Sequence, residues 1–230
     1  MVIENKRIRS FVLRAGRVTA AQERAILEQS PHFGIALDSN SGNLSFNLSK
    51  VFGRIAPLCL EIGFGNGENI LQLALKNPDR DYIGVEVHRA GVGHLLNCIA
   101  QAGLTNIKVI FHDAVEVLEN YILPGSFDEI LILFPDPWQK KRHNKRRLVQ
   151  KKFIALLASR LKPKGLLNLA TDWESYATQM LEVLSAQPEL KNRAANNRFI
   201  SRPEWRVLSR FERRSQRLGH SVWDLSFERL

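Results

Sequence analysis

The chain has 230 residues, 44% of them hydrophobic, which is enough for one sizeable core and argues against a disordered protein. No apolar run approaches the length that spans a bilayer, and the first ten residues lack the apolar stretch of a secretion signal. Cys59 and Cys98 lie in apolar surroundings, which favours two free thiols in a cytoplasmic protein over a disulfide framework.

The net charge of +10 is unevenly distributed. Residues 1–56 carry a net charge of +4, residues 57–136 carry −7 and residues 137–230 carry +13. Basic segments attract polyanions through Coulomb steering and counterion release. Charge alone does not separate a nucleic-acid-binding protein from a generic basic one. Membrane-surface binding is less favoured, because no basic amphipathic helix with an aromatic face stands out.

The first fifty residues are predicted to form a basic N-terminal extension with one helix. Thr19 and Gln22 have the spacing of a capping box, so a helix is expected to begin there and to run to about Gln29. Ser30 and Pro31 are expected to end it, and residues 38–50 are polar and loop-like.

Residues 51–230 are predicted to form one α/β domain, because strand and helix patterns alternate. The predicted strands are residues 58–62, 82–87, 107–111, 127–134 and 165–170. The predicted helices are residues 68–76, 90–102, 114–119, 148–161 and 175–186. This alternation implies a parallel sheet with helices on both faces. Apolar clusters in residues 195–230, around Gly219, predict a closing strand pair.

A glycine-rich loop, E-x-G-x-G-x-G, follows the first predicted strand. Gly63, Gly65 and Gly67 would let the backbone approach a ligand closely. In a nicotinamide-binding loop, G-x-G-x-x-G, the third glycine comes one position later and the loop cradles a pyrophosphate. S-adenosylmethionine (SAM) has no phosphate, and the Glu61 carboxylate suits its ammonium group. The alternative is a glycine-rich turn of another α/β protein.

Two more acids follow predicted strands. Glu86 closes the second strand, where an acid accepts hydrogen bonds from ribose hydroxyls, although this feature alone does not separate SAM from NAD. Asp113 follows the third strand, where its carboxylate could accept from an adenine amino group or cap the next helix. Ligands of open α/β sheets bind at these carboxyl ends, so the three acids together favour a cofactor site.

The sequence Phe-Pro-Asp-Pro-Trp ends the fourth predicted strand. Prolines on both sides would hold the Asp136 carboxylate at the strand tip, and Trp138 offers an aromatic face suited to stacking a base. The alternative is a rigid turn with a partly buried Trp. At the tip of the fourth strand of a cofactor-binding sheet, we favour the functional interpretation.

Residues 139–152 contain eight basic side chains and no acidic one. Such a run is usually a solvated surface, but its place next to the Asp136 loop favours phosphate binding by Lys140 and by Arg142–Arg147. Asp172, with Trp173, ends the fifth strand, and residues 209–212 lie in an arginine-rich stretch; both motifs are individually weak. The six histidines lack metal-ligand spacing, so no metal site is predicted.

In this order, the motifs EIGFGNG, GVEVH, HDA, FPDPWQKKRHNKRR, TDW and SRFERRSQRLGHSVWDL, with RSFVLRAGRVT near the start, resemble the bacterial tRNA (guanine-N7)-methyltransferases. The resemblance spans essentially the whole chain. It implies a Rossmann-like class I methyltransferase with a mostly parallel seven-stranded sheet and an antiparallel C-terminal strand pair. It further implies that SAM is the cofactor and that a guanine in the tRNA variable loop is methylated.

The resemblance also implies roles for single residues. Glu61, Glu86, Asp113 and Asp136 would surround SAM, beside the loop glycines Gly63, Gly65 and Gly67. Methylation of N7 makes the purine ring cationic, so Asp136 is also the catalytic candidate. Lys140, Asp172, Ser209, Arg210, Phe211 and Glu212 would contact the guanosine. Arg142, His143, Asn144, Lys145, Arg146 and Arg147 would contact RNA. The family usually has Thr where Ser209 stands; Ser keeps the hydroxyl group.

Three alternatives stay open at this point. A SAM-dependent enzyme could methylate an exocyclic amine, because Asp136-Pro137-Trp138 is similar to the D-P-P-aromatic motifs of that chemistry. A noncatalytic RNA-binding protein could retain the fold, although the intact glycine loop argues against it. A nicotinamide oxidoreductase is disfavoured by the glycine spacing. The sequence does not decide between a monomer and a homodimer.

Overall fold

The computed structural model describes residues 8–12, 17–37, 48–208, 212 and 221–230. The predictions for residues 38–47, for Ser209, Arg210 and Phe211, and for the surroundings of Gly219 lie outside these residues. The strands are β1 Leu58–Ile62, β2 Asp81–Glu86, β3 Ile107–Phe111, β4 Phe127–Leu133, β5 Leu161–Thr171, β6 Leu190–Asn192 and β7 Trp223–Arg229. The α-helices are α1 Ala20–Phe33, α2 Leu48–Phe52, α3 Glu68–Lys76, α4 Arg89–Ala102, α5 Ala114–Asn120, α6 Lys151–Arg160 and α7 Glu174–Ser185.

The strands form one seven-stranded sheet in the order β3-β2-β1-β4-β5-β7-β6. β1 to β5 are parallel, with Glu61 beside Gly84 on one side and Leu131 on the other. β7 runs antiparallel to both β5 and β6. The mostly parallel sheet and the antiparallel C-terminal pair are therefore confirmed, and the carboxyl ends of β1 to β5 meet at one edge.

The core has two layers because side chains alternate along each strand. Leu58, Leu60 and Ile62 of β1 pack in the cluster that contains α5, α6 and α7. Cys59 points to the opposite cluster, with α1, α3 and α4. By the same alternation, Glu61 is directed toward the α3 and α4 side, where its carboxylate meets a side chain of α3.

The capping box at the start of α1 is confirmed, because Thr19 Oγ1 accepts from the Gln22 backbone and Gln22 Oε1 accepts from the Thr19 backbone. The predicted end at Ser30 and Pro31 is wrong, since α1 continues to Phe33. Pro31 removes only one backbone donor. The Gly34 N–H donates to the Ser30 carbonyl at 2.8 Å and closes the last turn around it.

Four further boundaries differ from the predictions by more than one residue. Residues 48–50, predicted as loop, begin α2, and the helix predicted from residue 148 begins at Lys151. β5 begins at Leu161 rather than Gly165, because Leu161 pairs with Phe127 across a register shift. The first strand of the C-terminal pair is β6, which precedes the predicted region and depends on pairing with β7.

Candidate active site

A cleft of about 780 Å³ opens at the carboxyl ends of the parallel strands. It brings together six of the residues that the sequence assigned to a cofactor: Glu61, Gly63, Gly65, Glu86, Asp113 and Asp136. Ser10 and Phe11, from the N-terminal part of the chain, also line it. The predicted carboxylates, which are up to 75 positions apart in the sequence, therefore share one cavity.

The glycine loop crosses the floor of this cleft between β1 and α3. Gly63, Gly65 and Gly67 have φ of 71°, 58° and 78°, in the left-handed region that side chains rarely adopt. A Cβ atom on Gly91, at the start of α4, would lie 2.0 Å from the Gly65 carbonyl oxygen. The loop can thus lie against α4 only because Gly91 has no side chain.

The Glu61 carboxylate is buried at the base of the cleft, with 3% of its surface exposed. Asn69 Nδ2 of α3 donates to it at 2.8 Å. Burial raises the pKa of Glu61 to about 7, the Asn69 hydrogen bond opposes this shift, and the negative charge of Glu86 adds to it. A cationic ligand would stabilise the ionised form of Glu61, because its positive charge would compensate for the loss of water around the carboxylate.

Glu86 ends β2 with a buried carboxylate that accepts three backbone hydrogen bonds. Its Oε2 atom accepts from Gly65 N–H at 2.8 Å. Its Oε1 atom accepts from the N–H groups of Val87 and His88 at 2.6 and 2.9 Å. These contacts tie the glycine loop to the second strand end and fix the direction of the carboxylate.

Asp113 follows β3 and caps α5. Its side chain accepts from Val115 N–H at 2.9 Å, which confirms the helix-cap interpretation, and the carboxyl group also lines the cleft. A cap and a ligand contact are compatible, because a carboxylate has two oxygens with several acceptor positions.

The loop after β4 carries Asp136 to the mouth of the cleft. β4 ends at Leu133, one residue earlier than predicted, because Phe134 adopts a φ of 52°. Trp138 has a φ of 45°, so left-handed residues flank the Pro135-Asp136-Pro137 tripeptide on both sides. Such conformations persist only where surrounding contacts enforce them. Asp136 is exposed within the described chain and lines the cavity.

Comparisons with known proteins agree with this geometry. Residues 55–225 match the family model described as "Putative methyltransferase". The tRNA (guanine-N(7)-)-methyltransferase of Paraburkholderia xenovorans is 53% identical over 227 residues, which cover 99% of this chain and 85% of that protein. The enzyme of the same name from Pseudomonas putida is 49% identical and covers 98% of this chain and 92% of its own length.

The chain belongs to the tRNA (guanine-N7)-methyltransferase family. Solved structures add the fold: the 16S rRNA methyltransferase KamB has a TM-score of 0.59 at 15% identity and covers 79% of this chain and 92% of its own. A 16S rRNA (adenine(1408)-N(1))-methyltransferase from Catenulisporales acidiphilia has a TM-score of 0.54 at 16% identity and covers 85% and 93%.

Arg147 of this methyltransferase is directed into the protein, and its predicted contact with RNA stays a prediction. It is buried, with 3% exposed, and its Nε–H donates to the Pro137 carbonyl at 2.8 Å. Its two NH groups donate to Gln179 and Ser175 of α7 at 2.6 to 3.2 Å. A basic run cannot reveal which of its members points inward. Arg147 instead fastens the Asp136 loop to α7.

Trp138 is partly buried, and its interpretation as a base-stacking face stays a prediction. The Arg146 guanidinium lies 4.4 Å from its ring centroid, and the His143 ring meets it edge-on at 5.9 Å. Its Nε1–H donates to the Ser10 carbonyl at 2.9 Å, which brings residues 8–12 to the cleft. One face of the indole is thus occupied by a side chain of the same basic run.

Most of the remaining predicted residues lie on the turn that follows the Asp136 loop. Lys141–Arg146 form a 3₁₀ turn after Lys140, and Lys140, Arg142 and Lys145 are exposed on it. Partial burial and the positive charges of this turn lower the pKa of His143. Asp172 is half-buried just after β5, at the same sheet edge. Among the described residues, none of these side chains lines the cavity.

Glu212 is buried rather than open to the cleft. Its carboxylate accepts from Arg206 at 2.6 and 2.9 Å, and Arg206 also donates to Asp224 of β7 at 2.7 Å. The three side chains form a buried ionic cluster beside the Asp136 loop, with the Arg206 guanidinium 5.3 Å from the Phe134 ring centroid. Its assignment to substrate binding stays a prediction.

Two residues of the site, Asn69 and Gly91, were not predicted from the sequence. Asn69 lies one helical turn before Leu73 on the buried face of α3, and a polar residue in an apolar stripe was the available signal. Gly91 stands early in a helix, where glycine is unfavourable unless a close approach requires it. In the part of the chain that is described, no helix is long and apolar enough to cross a membrane.

Proposed function

We propose that this protein transfers a methyl group from SAM to N7 of a guanine in the tRNA variable loop. One observation carries the proposal: Glu61, Glu86, Asp113 and Asp136 line one cleft, directly beside a turn of exposed cations. Curated relatives about half identical over nearly the full chain support the choice of tRNA and of guanine N7.

The residues of the cleft fit SAM by their chemistry. Glu61 would hold the ammonium group, Glu86 the ribose hydroxyls and Asp113 the adenine amino group. The glycine loop lets the cofactor approach the backbone closely. A pyrophosphate in this place would face the buried carboxylates of Glu61 and Glu86, and like charges repel strongly where water is excluded. The cleft therefore favours SAM over a nicotinamide dinucleotide.

When bound, SAM supplies a methyl group on a positively charged sulfur, which a guanine N7 lone pair can accept without a proton being removed. The side chains therefore need to align the base rather than act as a general base. Asp136, held at the mouth of the cleft, would accept hydrogen bonds from guanine N–H groups. Its negative charge would also stabilise the positive charge that develops on the purine ring.

The exposed turn next to the Asp136 loop would bind the tRNA backbone. Lys140, Arg142 and Lys145 are exposed there and follow the reacting loop in the sequence, so phosphate contacts would orient the tRNA over the cleft. Cys59 and Cys98 are free thiols, which supports a cytoplasmic location, where tRNA substrates are found.

The test uses purified protein, SAM with a labelled methyl group and an unmodified tRNA transcript, followed by chemical cleavage at N7-methylguanosine. We expect label at one variable-loop guanine and none in a matched transcript with adenine at that position. Label at another atom or loop would overturn the proposed target. Absence of label together with absence of SAM binding would overturn the proposed cofactor as well.

A further inference from the structure

The side-chain amide of Asn69 bridges two parts of the site that are far apart in the sequence. Its Nδ2 group donates to Glu61 Oε2 at 2.8 Å, and its Oδ1 atom accepts from the Val207 backbone N–H at 3.2 Å. Asn69 is buried, with 9% exposed, and Val207 also lines the cleft. The Asn69 amide therefore contacts Glu61 on one side and the C-terminal part of the chain, at Val207, on the other.

The segment at Val207 is itself linked to the Asp136 loop. Arg206, the preceding residue, pairs with Asp224 of β7 and with Glu212, and its guanidinium lies over the Phe134 ring. Phe134 is the residue that begins the loop carrying Asp136. A shift of the Val207 backbone would therefore displace Arg206, and with it both the ionic cluster and the contact with Phe134 at the start of the Asp136 loop.

We propose that Asn69 is a positioning residue that couples cofactor binding at Glu61 to the placement of the C-terminal segment at Val207. The proposal rests on the proposed function, since it takes SAM as the ligand of Glu61. An amide that donates to the ionised carboxylate is held in one orientation, which leaves its oxygen directed at Val207. Coupling of this kind is reciprocal. A contact that fixes the Val207 segment also holds the Asn69 amide in place and thereby favours the ionised carboxylate of Glu61, which is the form that binds an ammonium group.

Glu61 is sensitive to the loss of this donor. The charged side chain that acts on its pKa is Glu86 of β2, and the other titratable side chains of the cleft are Glu68, His88, His112, Asp113 and Asp136. The Asn69 hydrogen bond lowers the pKa of Glu61 against burial and against Glu86, both of which raise it. Without the donor, the carboxyl group would be protonated to a higher pH and would lose its attraction for an ammonium group.

The experiment compares Asn69→Leu with the wild type and with Asn77→Leu, which alters an asparagine at the other end of α3. Affinity for S-adenosylhomocysteine, which has the same ammonium group, is measured by calorimetry between about pH 6 and 8.5. We expect Asn69→Leu to weaken binding at pH 7 on the order of tenfold, as for loss of a hydrogen bond to a charged group. The midpoint of its pH dependence should move to higher pH, whereas Asn77→Leu should match the wild type.

Hydrogen exchange measures the effect at Val207, the second contact of the Asn69 amide. In the wild type, S-adenosylhomocysteine should slow exchange in the peptide that contains Val207, and in Asn69→Leu this ligand-dependent slowing should be lost. Asn69→Ser, which keeps a shorter donor and acceptor, should restore part of both effects and serves if Asn69→Leu does not fold.

Two results are distinguishable. Unchanged pH midpoint and unchanged ligand-dependent protection in both Asn69 variants would overturn the coupling alone. A wild type that does not bind S-adenosylhomocysteine would overturn the proposed cofactor, and the coupling with it.

Discussion

Glu61 illustrates a residue whose position favours binding at the expense of stability. Its carboxyl group is buried, and its pKa is raised from 4.5 to about 7. In the unfolded chain the group would ionise at its ordinary pKa, so the folded state loses stability as the pH rises from that value through about 7. Above this range the folded protein carries a buried charge that the Asn69 hydrogen bond stabilises in part and that a cationic ligand would stabilise further.

Glu61→Gln should therefore stabilise the free protein while abolishing cofactor binding. Gln keeps an oxygen acceptor for Asn69 and has no charge to bury. At pH 8 we expect the free energy of unfolding to rise by up to about 3 kcal/mol, from the difference between 4.5 and about 7. The gain should disappear near pH 4. Equal stability of the two proteins at pH 8 in denaturant titrations would contradict this explanation.

Arg147 is the residue whose role the sequence described least well. Composition identified a run of cations, but the direction of one side chain depends on α7, which lies further along the chain. The loop carrying Asp136 is held by the Arg147 contact to Pro137, and Phe134 and Trp138 at its ends have positive φ. The geometry of the loop thus depends on a tertiary contact that no local pattern encodes.

Arg147→Lys should slow catalysis while leaving cofactor binding unchanged, since lysine cannot reproduce the several directed donors of a guanidinium group. We expect kcat to fall on the order of 100-fold, because a small displacement of a positioning loop has effects of that size. Affinity for S-adenosylhomocysteine should stay within about twofold of the wild type, given how little of the cofactor cleft the change touches. Steady-state kinetics on tRNA and calorimetry check both values.

The matched variant for this test is Arg142→Ala, which removes an exposed cation of the same basic run. It should raise the KM for tRNA with little change in kcat. If Arg147→Lys raised KM in the same way and left kcat unaltered, Arg147 would act in RNA binding after all.

Among the elements, helix α4 packs closely on both sides through glycine. A Cβ atom at Gly91 would meet the Gly65 carbonyl at 2.0 Å, and one at Gly93 would meet the Gln22 carbonyl of α1 at 2.5 Å. The first contact supports the glycine loop, and the second allows α1 to pack closely against α4, where Arg89 also pairs with Glu23. The same helix therefore positions the cofactor loop and the N-terminal helix.

Alanine at these two glycines should have different consequences. Gly91→Ala should displace the glycine loop and weaken S-adenosylhomocysteine binding at least tenfold, because overpacking that shifts the backbone typically costs about 1–3 kcal/mol. Gly93→Ala should lower stability by a similar amount through α1 and leave the affinity nearly unchanged. Calorimetry and thermal unfolding of both variants decide this, and an equal loss of affinity in both would contradict the separation.

The bounds of the helices and strands show where local sequence patterns are enough to predict an element. β1, α3 and β3 have the predicted bounds, because apolar periodicity and flanking glycines or acids define them locally. The ends of α1 and β5 were misplaced: α1 passes Pro31, and β5 begins early by pairing with Phe127. At β5 a long-range pairing overrides the local signal, whereas at α1 the Gly34–Ser30 hydrogen bond completes the last turn despite Pro31. The predicted boundary of the extension near residue 50 stays a prediction.

Across the molecule, charge is divided along the chain. Residues 57–136, net −7, supply the strands and loops of the cofactor cleft, whereas residues 137–230, net +13, include the exposed turn beside it. Acids at the cleft suit a cation, and a basic border suits a polyanion. This division could be predicted from the sequence alone, since it needs only the order of motifs on a parallel sheet.

The exposed basic turn after the Asp136 loop predicts tRNA binding that weakens steeply as the salt concentration rises. Replacing Lys140, Arg142 and Lys145 by Ala should reduce the slope of log affinity against log salt by about one for each phosphate that the variant no longer neutralises. Affinity for S-adenosylhomocysteine should not change. Filter binding from low to high salt measures the slope, and an unaltered slope would remove this turn from the RNA interface.

Asp136 stands where cofactor and base would meet, and single-turnover methyl transfer by Asp136→Asn is the decisive test of that placement. The change is nearly isosteric; it removes the negative charge and replaces one acceptor oxygen by an amide donor. We predict that the variant binds S-adenosylhomocysteine and tRNA within a few-fold of the wild type and that the rate of transfer falls on the order of 100-fold or more, as for loss of one charge-stabilising group. A near-normal rate with both ligands bound would contradict this role and would move the reacting centre away from the Asp136 loop.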